Sequence, residues 1–181
     1  CISSLKLHKA AGPDSICNEH IIFGGIQLAV HFSLVFNAMV RHSFVPLAFQ
    51  HGVIIPLLKN KHGDSSNVDM YRGVTLSVVA SKLFEHVLLM LYDDSLASSS
   101  LQFGFKKDSS CSHAIFTFGE TVKYFTKKGS KIYCASLDAT KAFDKVLHYG
   151  LFLKMLQKGI SQHFIKLLVA WYSNLSCSVS W

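Results

Sequence analysis

The chain has 181 residues, half of them hydrophobic, with 14 Phe, 11 Gly and only three Pro. This excludes a disordered tail and a collagen-like or low-complexity repeat, and it is enough chain for one sizeable core. Eighteen Lys and Arg against eleven Asp and Glu leave a net charge of +7, and all of it falls in residues 101–181, where eleven Lys meet four acids. A basic half of this kind suits a polyanion such as nucleic acid, and equally a solvated lysine surface. The chain begins at Cys1 and stops at Trp181 inside an apolar alternating run, so it reads as a piece of a longer protein.

In chain order, Gly12-Pro13-Asp14 predicts a turn, with Asp14 capping a helix that runs to about His42 and breaks at Gly24-Gly25. Ile21 to Val40 holds no charged residue, which is long enough for a membrane span, but Gln27, His31, Ser33 and Asn37 dilute it. A buried core helix is the reading preferred over a span. Val53-Ile54-Ile55 predicts a strand closed by Pro56, Lys59 to Asp69 a hairpin-like loop, and Arg72 to Leu76 a returning strand. Val78 to Asp93 has helical period, with Val79, Leu83, Val87 and Met90 on one face.

Gln102 to Lys107 reads as a short, basic, extended segment, and Ser110 to Lys127 as a helix whose Ile115, Phe118, Val122 and Phe125 share a face. Gly129-Ser130 ends it. Lys131 to Asp138 predicts a strand of the fully buried type. Helices follow at about 148–158 and 161–174, and Ser176 to Trp181 looks like the first strand of a hairpin. The whole pattern is α+β, with helices packed on a small, mostly antiparallel sheet. The five Cys, at 1, 17, 111, 134 and 177, form no CxxC pair and read as buried free thiols.

The sharpest chemical feature is Ser136-Leu137-Asp138-Ala139-Thr140-Lys141-Ala142-Phe143-Asp144. An apolar strand ending on a carboxylate can present a hard oxygen ligand to Mg²⁺ in a cleft. An aspartate there can also simply cap the turn that follows.

The order of the segments adds a resemblance. Lys9-Ala10-Ala11-Gly12-Pro13-Asp14, Val53 to Lys59, Tyr71-Arg72-Gly73-Val74-Thr75-Leu76 with Ser81 to Glu85, Gln102 to Lys107, and Ser136 to Val146 stand in one sequence. In this the chain resembles the reverse transcriptase domain of non-LTR (LINE-type) retrotransposons, over nearly its whole length. The resemblance implies the fingers of a right-hand polymerase at about 1–130 and the first part of the palm at about 131–181. It implies an RNA-directed DNA polymerase that adds deoxynucleoside triphosphates to a DNA primer on an RNA template, with Mg²⁺ or Mn²⁺. The resemblance leaves the compartment open within the cell, nucleus or cytoplasm, and implies no membrane.

By the same resemblance Asp138 matches the motif A aspartate, at once catalytic and metal-ligating. Phe143 matches the residue that excludes a ribose 2′-hydroxyl, although a core Phe would also fit. Ala139 would line the triphosphate, Lys59, Lys61 and Arg72 would grip it, and Lys106 and Lys107 would contact the template or primer. A guanidinium fork suits phosphate oxygens, and Arg72 is one of only two Arg in the chain. Three departures stand out. No aromatic-x-Asp-Asp follows motif A, and Leu91-Tyr92-Asp93-Asp94 precedes it. Asp108 stands where many relatives have Gly. The chain stops before a thumb, so by itself it is expected to be inactive. A non-catalytic nucleic-acid-binding remnant is the alternative function.

Overall fold

The β-branched run at 53–55 is the middle of a longer strand. In a computed structural model that describes residues 1–60, 64–96, 98–139 and 142–180, β1 spans His51–Leu58 and pairs antiparallel with β2, Tyr71–Ser77. A third strand, β3 (Ser176–Val179), lies on the other side of β1 and runs parallel to it, with His51 opposite Ser176. The sheet is therefore mixed rather than mostly antiparallel, and the partner that β3 finds within it is β1. Alternation identifies a strand but not its partner, and here the partner lies more than a hundred residues away. Pro56 is tolerated within β1 because β3 reaches only to Ile54, which leaves Pro56 with a neighbour on one side only.

The first helical stretch divides as its glycines suggest. Asn18–Ile22 forms α1 and Gly25–His42 forms α2, with Gly25 at φ +74° in the break. Asp14 caps no helix: its carboxylate accepts from the Ile16 N–H at 3.2 Å and closes a turn, while Cys17 takes the N-cap position. Gly12 in that turn lies against the end of β2, where a Cβ would meet the Ser77 carbonyl oxygen at 2.6 Å. The expected core helix is only half buried. Phe36 and Met39 of α2 face inward, whereas Ile26, Val30 and Leu34 are exposed. No helix among the described residues is long and apolar enough to cross a membrane.

A four-residue helix, α3 (Leu47–Gln50), leads from Pro46 into β1. The helix after β2 is α4, Val79–Leu91, and its buried side chains are Val79, Ser81, Leu83, Phe84 and Leu88. Val79 and Leu83 of the predicted face are buried as expected, but the buried face continues through Phe84 and Leu88 rather than to Met90, which is exposed. α6 (His148–Gln157) and α7 (Gln162–Tyr172) follow later in the chain, with Ser161 capping α7 through the Phe164 N–H. Phe84 centres the core of this unit, packing on Phe36 at 4.9 Å and on Trp171 at 5.4 Å between ring centroids. His163 on α7 hydrogen-bonds the Val40 carbonyl of α2 and joins the two helices. All these elements belong to one compact unit, Cys1–Ser95 with Leu147–Trp181.

The second unit, Leu96–Val146, is built differently. Its one long helix, α5 (Cys111–Lys127), matches the predicted range, yet none of its residues is buried. The strand expected at 131–138 is absent: residues 131–139 are irregular and largely exposed. Among the described residues no other strand pairs with it, and an unpaired strand leaves its N–H and C=O groups to water with no gain from burial. Residues 102–107 are likewise turned rather than extended, with Phe105 at φ 57°. None of the five Cys is buried; four are exposed and Cys17 is intermediate, all as free thiols.

Candidate functional site

The residues singled out in the sequence fall into two groups, one in each unit. Lys59 and Arg72 share the loop end of the β1–β2 hairpin. The register sets Arg72 opposite Leu57, and the ladder continues through the Lys59 N–H to the Met70 carbonyl at 2.8 Å. The Lys59 ammonium donates to the Asp69 carbonyl oxygen at 2.7 Å, which holds the side chain along the hairpin end. Both residues are exposed, so each can add a phosphate contact at little desolvation cost. Lys61, expected beside them, lies outside the described residues.

Asp138, Ala139, Phe143, Lys106 and Lys107 all lie in the second unit and are exposed. The Asp138 carboxylate sits at the end of the irregular 131–139 segment rather than on a strand. Phe143, in the turn at 142–145, is 76% exposed. It meets the edge of Phe105, with ring centroids 5.7 Å apart and planes at 84°. Sequence reasoning passed over Phe105, although its place between Gly104 and Lys106 in a quoted motif was the available signal. The contact brings the Lys106-Lys107 turn beside the turn that follows Asp138. Lys106 reaches the Ser99 carbonyl at 3.4 Å, a weak hold that leaves the ammonium accessible.

Divalent-ion chemistry needs more than this. Mg²⁺ is held in octahedral geometry by several oxygen ligands. Among the described residues no three His, Cys, Asp or Glu side chains converge. Asp138 alone does not supply the ligand set that a metal site needs.

Two carboxylates elsewhere show how local contacts shift acidity. The His8 backbone N–H, with further hydrogen bonds, holds Glu19 below the usual range. Burial pushes Glu85 up, opposed by His86 and Lys82 nearby. More than a third of Glu85 as a residue is open to water, and that solvent tempers the effect of burial.

No protein-family model matches the chain. Curated relatives do. A probable RNA-directed DNA polymerase from transposon X-element of Drosophila melanogaster is 31% identical over 163 residues, covering 87% of this chain and 18% of the relative. A probable RNA-directed DNA polymerase from transposon BS of the same fly is 28% identical, covering 85% of this chain and 17% of the relative. The RNA-directed DNA polymerase from mobile element jockey of Drosophila funebris is 28% identical, covering 99% of this chain and 20% of its own length. The chain thus spans about a fifth of the length of the curated relatives it matches. Over most of its length the chain is similar to one segment of the RNA-directed DNA polymerases of non-LTR retrotransposons.

Proposed function

We propose that the chain forms the fingers and the first part of the palm of an RNA-directed DNA polymerase, at about residues 1–130 and 131–181. Support comes chiefly from the similarity to mobile-element polymerases over 84–99% of the chain. Exposure adds to it: each described candidate residue is open to solvent, as groups that meet nucleic acid and nucleotides must be. In this reading Lys59, Lys61 and Arg72 hold the triphosphate of the incoming nucleotide, and Lys106 and Lys107 contact the backbone of the RNA template or DNA primer. Asp138 contributes one carboxylate to a divalent-ion site whose remaining ligands other parts of the polymerase supply. Phe143 stands against the sugar and excludes a 2′-hydroxyl, with Ala139 lining the nucleotide.

The proposal is tested by primer extension with a polymerase that carries this segment and the remaining length of its relatives. Incorporation of deoxynucleotides on an RNA template is expected. A folded, nucleic-acid-binding protein with no templated incorporation would leave the remnant reading in its place.

A further inference from the structure

A cavity of about 260 Å³ opens between α3, the start of β1, α4 and the chain after α7, wholly within the first unit. Its walls combine two kinds of surface. Phe49 and Trp171 supply aromatic rings, while Gln50, Ser81, Glu85 and His51 supply polar groups. Gln50 is only 4% exposed. Its amide nitrogen donates to the Val45 carbonyl at 2.8 Å, but its buried side-chain oxygen has no hydrogen-bond partner. A buried acceptor left unpaired costs free energy that a donor placed beside it would recover. Glu85 adds a carboxylate at the open margin of the same cavity. The hydroxyl of Ser81, 1% exposed, is already spent on the Phe49 carbonyl at 3.3 Å. His51 is tied to Ser176 at 3.1 Å. The unmet demand is thus for donors, at an amide oxygen and a carboxylate, beside aromatic rings.

We infer that this cavity binds a small planar cation of the guanidinium class, with N–H groups directed to Gln50 and Glu85 and its face against the aromatic wall. A guanidinium carries only donors, forks onto a carboxylate and stacks on aromatic rings. The volume would otherwise hold several waters at about 30 Å³ each, so it is large enough for such a group. The charge of a bound cation would also offset the cost that burial places on the charged form of Glu85.

The test titrates methylguanidinium into the full 181-residue chain at about pH 8, where carboxylates are ionised and imidazoles neutral. The Trp171 indole N–H and the Gln50 side-chain amide are followed by NMR, with urea as a neutral probe of the same shape. Saturable movement of both signals at millimolar methylguanidinium is expected, with urea at least tenfold weaker. Glu85→Gln, at the exposed margin, should keep the fold by circular dichroism and weaken the cation at least tenfold. Equal response to urea and the cation, or no saturable response, would overturn the inference without reference to any variant. So would unchanged affinity in a folded Glu85→Gln protein.

Discussion

The two units differ in what their apolar residues do. In the first, Phe84, Leu83, Val79 and Leu167 are almost wholly buried, and Phe36 and Trp171 close around Phe84. In the second, no described residue between Leu96 and Val146 is buried, although Ile115, Phe118 and Phe125 repeat along α5 at core spacing. Hydrophobic periodicity reports what a segment can bury, and only a partner surface turns that into stability. The candidate residues divide unevenly across the same contrast, with Asp138, Ala139, Phe143, Lys106 and Lys107 in the unit without buried residues among those described.

Truncating aromatic rings should break the symmetry most visibly. Phe84→Ala should cost about 3–5 kcal/mol by urea unfolding, since it empties the centre of a core. Phe143→Ala should change stability by less than about 0.5 kcal/mol, as expected of a surface position. A loss from Phe143→Ala as large as that from Phe84→Ala would mean the second unit has a core after all. In the longer polymerase the same Phe143→Ala change should raise ribonucleotide incorporation, read by competition against deoxynucleotides.

Hydrogen exchange sharpens the comparison at the backbone. Amides of β1 that pair with β2 should be protected, whereas those of 131–139 should exchange almost as fast as in a free peptide. Protection of 132–137 comparable to β1 would show a strand there.

The basic half offers a smaller effect. Binding of an RNA–DNA duplex should weaken steeply with salt, and Lys106→Ala with Lys107→Ala should shallow the slope by about 2, near one unit for each phosphate no longer neutralised. An unchanged slope would move the footprint to Lys123, Lys127 and Lys128.

Glu85 gives the smallest. Its carboxyl is neutral to higher pH in the folded chain than in the unfolded one. Its stabilising share is therefore complete below the unfolded value of about 4.3 and is lost as pH rises through the folded value. Glu85→Gln should raise the Tm at neutral pH and leave it unchanged near pH 4. A Tm change independent of pH would remove the burial argument.

The sequence carried much of the first unit. Helices α4, α6 and α7 and the β1–β2 pair come from local pattern, and the Gly24-Gly25 break comes from glycine chemistry. What it could not carry depends on distant chain. The parallel pairing of β3 to β1 joins His51 to Ser176. The inward turn of Phe84 instead of Met90 follows from where α2 and α7 lie. For the site, the motif order located the candidate residues, but the 131–138 pattern read as a buried strand because pattern alone does not say whether a neighbour is present. Phe105 against Phe143 is a contact between two turns, which no periodicity encodes.

Asp138 carries the central claim, as an exposed carboxylate on an uncovered segment that is assigned a function instead of a structural role. The direct measurement is RNA-templated primer extension by the longer polymerase carrying Asp138→Asn, with a melting curve of the same variant. A fall in activity of about a hundredfold or more at unchanged Tm is predicted, because charge stabilisation is the largest catalytic effect of such a group. Activity within about twofold of the parent, or a loss matched by unfolding, would contradict it.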